Sequence, residues 1–272
     1  MVEPTPRRSG CGRCISLQAV TLLGRLDAVA PSRLKALVRP ITSRPIGARI
    51  VGGKGKFELA LWERRLRADT DNSDYGPFML NMAGEPDATF LEGKIVADFG
   101  CGPRGSLAWA SGAALRIGID VLADRYFETF TDTVLTHDMV YLKSTERVIP
   151  LPSDFVDVMF TLNAIDHVDD FPLMCQEIIR VIKPGGVFVG SFNLEEPASS
   201  TEPQRLNERL ISRHLLDLLD VQTYRITGKP VRGEVYAPFF DRLLPYEPGA
   251  EGFLWVRAAK PGPSIATPSP RT

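Results

Sequence analysis

The stretch Val96-Ala-Asp-Phe-Gly-Cys-Gly-Pro-Arg-Gly-Ser-Leu107 sets an acid, Asp98, at the end of an apolar run and three glycines, Gly100, Gly102 and Gly105, directly behind it. Lacking a Cβ, these positions tolerate positive φ and let the backbone come close to a bound group. At the carboxyl end of a strand, where a helix begins, an open α/β sheet binds its ligand. Asp120 closes a second apolar run about 20 residues on, placed to accept hydrogen bonds from the two hydroxyls of a ribose. Together these residues point to a nucleoside cofactor.

The glycine spacing alone would suit a dinucleotide equally well. Asp98 separates the two cases: a carboxylate before the glycines would meet a pyrophosphate with like charge, whereas a cofactor ending in an amino acid brings an ammonium. S-adenosylmethionine therefore fits these residues better than NAD. The alternatives are an NAD-dependent oxidoreductase on the same fold and a module that binds S-adenosylmethionine without catalysis. An oxidoreductase calls for a proton relay such as Tyr-x-x-x-Lys, a spacing not found after the fourth strand. The binding module is distinguished only by turnover.

The elements that must hold these residues alternate as short apolar runs and amphipathic segments, the pattern of a parallel sheet covered on both faces. Strands are expected over residues 94–99, 116–120, 139–143, 155–160, 187–191, 221–226 and 253–258. Helices are expected over 106–114, 123–130, from Asp169 and Asp170 through Ile182, and over 206–219. Lys183-Pro-Gly-Gly186 should stop the third of these. An earlier helix over 57–67, with Leu59, Trp62 and Leu66 on one face, leads into the domain, and 75–90 reads as short helix and loop. The expected fold class is α/β: a Rossmann-like, seven-stranded, mostly parallel sheet with helices on both faces and an antiparallel final strand.

Asp98-Phe-Gly-Cys-Gly-Pro-Arg-Gly105 with Gly118-Ile-Asp120 resembles the class I S-adenosylmethionine-dependent methyltransferases. The segments Ile149-Pro-Leu-Pro-Ser-Asp-Phe-Val-Asp-Val158, Asn163-Ala-Ile-Asp-His-Val-Asp-Asp170 and Ile178-Ile-Arg-Val-Ile-Lys-Pro-Gly-Gly186 resemble successive blocks of the broad type 11 subgroup. The resemblance spans residues 58–259. It implies that Asp98, Gly100, Gly102 and Gly105 meet the methionine end, Asp120 the ribose, and Thr145 and Glu146 the adenine, within Ser144-Thr-Glu146 where Asp-Ala-Glu is commoner. It also implies that Asn163 faces the methionine and that Tyr75 closes over the cofactor. His167, beside Asp166, is the candidate general base if the acceptor is a hydroxyl. His137 and His214 read as surface residues. Glu195, Glu196 and Glu202 belong at the rim, either orienting a polar acceptor or simply solvated.

Methyl transfer to a small-molecule or glycan-type acceptor, by in-line displacement and chiefly through positioning, is the expected function. Composition agrees with a globular chain: 272 residues, 44% hydrophobic and 24% charged. No apolar run approaches the ~20 residues that span a bilayer. The four cysteines, Cys11, Cys14, Cys101 and Cys175, make no disulfide framework, and a cytoplasmic location is expected. Cys11-Gly-Arg-Cys14 has no second ligand pair, so no metal is expected. Nor is there a three-cysteine motif for radical chemistry on an iron-sulfur cluster. Residues 1–53 read as a basic, Pro-containing extension, partly helical or disordered, suited to peripheral contact with anionic partners but not to specific nucleic-acid recognition. Residues 54–260 form the catalytic domain and 261–272 a disordered tail. The segment 236–248, with Phe239, Phe240 and Tyr246, either lines an acceptor pocket or packs on the sheet edge.

Overall fold

A strand buried on both faces must be apolar on both, and Ile95–Phe99 is such a strand: Val96 packs to one side, Ala97 and Phe99 to the other. The computed structural model describes residues 54–199, 201–230 and 242–262. Their strands are β1 (Ile95–Phe99), β2 (Leu115–Asp120), β3 (Val140–Lys143), β4 (Val156–Leu162), β5 (Ile182–Leu194), β6 (Asp220–Gly228) and β7 (Gly252–Ala259). They form one seven-stranded sheet in the order β3-β2-β1-β4-β5-β7-β6. The first five strands pair in parallel, and β7 runs antiparallel between β5 and β6. This is the expected Rossmann-like class. The strand order reverses between β1 and β4, which opens the crevice where such sheets bind ligands.

Helix α1 (Lys54–Ala68) precedes α2 (Tyr75–Ala83), α3 (Ala123–Thr129), α4 (Thr131–Val134), α5 (Phe171–Val181) and α6 (Glu208–His214). Asp170 caps α5 by accepting the Leu173 amide at 3.0 Å. The apolar face of α5, Phe171, Met174, Cys175, Ile178 and Val181, then packs with Ile211 of α6 against Ala97, Phe99, Ile117 and Ile119. On the opposite face, Phe78, Met79 and Met82 of α2 bury Val96, Val158, Phe160 and Trp255. Each such large side chain, fully buried, contributes roughly 1.5–3 kcal/mol.

Three expected elements differ. Residues 106–114 form consecutive turns, not a helix. Trp109 Nε1 takes the Ser106 carbonyl at 2.9 Å and Arg116 takes the Ala108 carbonyl at 2.9 Å, so side chains hold acceptors that a helix would need. Lys183-Pro-Gly-Gly186 does not precede its strand but lies inside β5. The register jumps there from Val156↔Ile182 to Val158↔Val187, with Gly185 at φ +78°. The helix expected over 206–219 begins at its Asn207 cap and is broken at Leu215, after which Leu216–Leu218 is a 3-10 turn. The readings of residues 1–53, of the tail from 263, and of Phe239 and Phe240 lie outside the described residues.

Candidate active site

Asp98, the last residue but one of β1, has 1% of its surface exposed. One carboxylate oxygen accepts the Ser106 hydroxyl, and the other, Oδ1, is buried without a hydrogen-bond partner among the described residues. Burial pushes its pKa up to about 7, against the Ser106 hydrogen bond and with a further push from the charge of Asp120. A buried carboxylate with an oxygen to spare is suited to an ammonium, which would favour the ionised form.

Gly100, Gly102 and Gly105 all stand at positive φ, +76°, +59° and +76°. A Cβ at Gly100 would overlap the Ala164 methyl, and one at Gly102 would come within 2.6 Å of the Trp62 ring. The turn therefore needs glycine for space as well as for conformation. Asp120 ties it to β2: Oδ2 accepts the Gly102 amide at 3.1 Å and Oδ1 the Leu122 amide at 2.9 Å. Burial raises its pKa to about 6, opposed by those two amides and by a bond from Tyr126, and assisted by the charge of Glu58.

Asn163 lies directly beyond β4 in the left-handed region, φ +45°, with its amide on the Ser191 carbonyl at 3.0 Å and Oδ1 accepting from Ser191 Oγ at 2.9 Å. It and Asp98 thus flank the crevice from neighbouring strands. Past β3, the Thr145 hydroxyl is engaged locally, accepting from the Arg147 and Val148 amides at 3.2 and 3.0 Å. Glu146 receives Lys54 Nζ at 3.1 Å and the Asp169 amide at 3.2 Å. Between β3 and Thr145, Ser144 is buried, its hydroxyl without a hydrogen-bond partner among the described residues, and its amide donates to the Asp120 carbonyl at 3.1 Å. Tyr75 begins α2, and the Arg104 guanidinium lies 5.5 Å from its ring centre.

His167 sits on the 3-10 turn Ile165–His167, its Nδ1 2.7 Å from Glu58 Oε1 of α1. Burial works against its charge, but the Glu58 hydrogen bond and the charges of Asp166, Glu58 and Glu202 outweigh it, and the pKa rises to about 9. That shift favours the protonated imidazole near neutral pH, a form that donates a proton where a general base must accept one. Neighbouring Asp166 is buried, with Oδ2 on Asn193 at 3.2 Å and Oδ1 without a hydrogen-bond partner among the described residues. The other two histidines are not surface residues: His137 is 5% exposed, and His214 is half-buried against the Phe171 ring. At the rim, Glu195 pairs with Arg205 at 2.8 Å and Glu196 with Lys229, so neither is a freely solvated carboxylate.

Helix α1 contributes most of what sequence reasoning missed. Along its length Lys54 reaches Glu146 and Asp169, Gly55 abuts Leu122, Glu58 reaches His167, and Trp62 lies over Gly102. One helix thus spans the loops that follow β1, β2, β3 and β4. The apolar spacing of Leu59, Trp62 and Leu66 identified its buried face, and Leu59 and Trp62 pack against Cys101, Tyr126 and Tyr141. The roles of Lys54 and Glu58 carry no local signal, because their partners lie 92 and 109 residues away.

Residues 97–190 match the family described as methyltransferase domain, the type 11 group. The chain is 27% identical over 166 residues to dimethylglycine N-methyltransferase of Parasynechococcus marenigrum (strain WH8102), a match covering 56% of this chain and 59% of that protein. Two solved structures share the fold. One is a chain of the complex between the Haloferax volcanii Trm112 methyltransferase activator and its assigned methyltransferase, 19% identical, covering 69% of this chain and 91% of that one with a TM-score of 0.50. The other is a protein of Bacillus halodurans C-125 assigned as a methyltransferase, 12% identical, covering 70% and 99% with a TM-score of 0.51. The glycine turn, Asp98 and Asp120, at the switch point of the sheet, all lie within residues 97–190, the stretch that matches the methyltransferase-domain family.

Proposed function

We propose that this protein transfers the methyl group of S-adenosylmethionine to a small-molecule or glycan-type acceptor in the cytoplasm, with residues 54–260 as the catalytic unit. The observation that carries the reading is the buried Asp98, its Oδ1 without a hydrogen-bond partner among the described residues, beside a positive-φ glycine turn that Asp120 holds in place. Asp98 accepts the ammonium, Asp120 the ribose hydroxyls, and Thr145 and Glu146 border the adenine. Asn163, Tyr75 and the turn of Gly100, Gly102 and Gly105 border the methionine. Among the described residues no helix is long and apolar enough to cross a membrane. Any membrane contact in this reading is peripheral, through the basic segment 1–53.

When bound, S-adenosylmethionine supplies an electrophilic methyl on a positively charged sulfur. The chain's own part is to position: fixed alignment of nucleophile and methyl is worth up to ~7–11 kcal/mol as effective molarity. α1 lies across the crevice and limits access of water, with Glu58 and protonated His167 as its fastening. A hydroxyl acceptor would also need a base, and Asp166, its pKa raised by burial to about 6, is better equipped for that than His167.

The test is release of S-adenosylhomocysteine from protein supplied with S-adenosylmethionine and panels of amines, alcohols, phenols and glycans. Turnover with one class establishes methyl transfer and names the acceptor. Protein that binds the cofactor yet releases nothing across all panels supports the non-catalytic module, and protein that binds NAD instead supports the oxidoreductase.

A further inference from the structure

Against the glycine turn lies a buried pair that no part of the methyl-transfer reading uses. Tyr141 of β3 is 9% exposed and His137, four residues earlier, 5%. The Tyr141 hydroxyl stands 2.7 Å from His137 Nδ1, in a hydrogen bond whose direction depends on the tautomer of the ring. Burial keeps both groups neutral, lowering the histidine's pKa and raising the phenol's. The result is a buried couple in which the Tyr141 hydroxyl fixes the His137 ring.

The same histidine also fills the space beside the turn. A Cβ on Gly105 would lie 2.5 Å from His137 Cγ and Cδ2. From the other side, Asn72 Nδ2 holds the Arg104 carbonyl at 3.0 Å. Gly105 is therefore held by the carbonyl of the residue before it and by contact of its Cα with the His137 ring. The next residue is Ser106, whose hydroxyl bonds Asp98.

We propose that Tyr141 and His137 are positioning residues that hold Gly105 and, through Ser106, aim the Asp98 carboxylate at the amino-acid end of the cofactor. The inference rests on the reading of the crevice as an S-adenosylmethionine site. It has a specific consequence: losing the Tyr141 hydroxyl should disturb recognition of the amino acid and leave recognition of the adenosine to Asp120.

Two probes divide these ends. S-adenosylhomocysteine carries both, whereas 5′-methylthioadenosine carries the adenosine without the ammonium. Calorimetric titration of the full chain and of Tyr141→Phe should show affinity for S-adenosylhomocysteine falling about tenfold, the scale of one lost buried hydrogen bond, with affinity for methylthioadenosine unchanged. His137→Leu should behave like Tyr141→Phe. His137→Asn, whose amide oxygen can stand in for Nδ1, should recover most of the loss. Equal weakening of both probes, or none, in Tyr141→Phe overturns the inference. Should that variant fail to fold, the Leu and Asn variants of His137 provide the same comparison. Wild-type protein that binds neither probe removes the cofactor reading itself, an outcome distinct from the failure of the pair.

Discussion

Asp120 Oδ2 accepts the backbone amide of Gly102 at 3.1 Å, so the acid that ends β2 and the turn that follows β1 are one unit. In the proposed function, replacing Asp120 removes the ribose acceptor and frees the turn at once. Asp120→Ala is expected to weaken S-adenosylhomocysteine and methylthioadenosine alike, by about 1.5–3 kcal/mol, roughly ten- to a hundredfold. Calorimetry with both ligands checks this, and weakening confined to S-adenosylhomocysteine would place Asp120 at the wrong end of the cofactor.

Space and conformation can be separated along this chain. Gly100 and Gly93 both stand at positive φ, but only at Gly100 would a methyl overlap a neighbour, Ala164. Gly93→Ala should cost about 1–2 kcal/mol of folding stability from the backbone alone. Gly100→Ala should cost more and should also abolish cofactor binding. Denaturant midpoints of the two variants provide the comparison, and equal shifts would mean that Ala164 simply moves aside.

The raised pKa of Asp98, about 7, has a sign that titration can read. Its folded value lies above its unfolded one, so the free protein holds a proton there between about pH 4 and 7 and loses stability as pH rises through that window. A ligand bringing an ammonium favours the carboxylate. Binding of S-adenosylhomocysteine should therefore release protons near pH 6, and affinity should climb with pH to a plateau above about 7. Calorimetry in buffers of different ionisation enthalpy measures the release. Proton uptake on binding would show that Asp98 does not meet the ammonium.

His167 works in the opposite sense. Its pKa is raised to about 9, so what its charge contributes is fully present below about 6.5 and is lost as pH rises through 9. The difference in thermal midpoint between wild type and Glu58→Gln is expected to be largest near pH 6 and to narrow toward pH 10. A difference that does not change with pH would mean the charge on His167 is not what fastens α1.

Much of this molecule was legible because its signals are local. The apolar run of β1, the glycines after it and Asp120 at the end of β2 each carry their meaning within a few residues, and the sheet formed as expected. The turns over 106–114 were misread as a helix because nothing local announces that Trp109 and Arg116 will take the carbonyls of Ser106 and Ala108. The cover over the crevice was hidden for a different reason. Glu58 and His167 meet across 109 residues, a pairing set by tertiary packing and visible only in three dimensions.

The most direct test of the account is calorimetric titration of the protein with S-adenosylmethionine, S-adenosylhomocysteine and NAD, repeated on Asp98→Ala and Asp120→Ala. The account predicts that both adenosyl ligands bind, that each variant weakens them, and that NAD gives no heat. Binding of NAD with no response to either adenosyl ligand would contradict it.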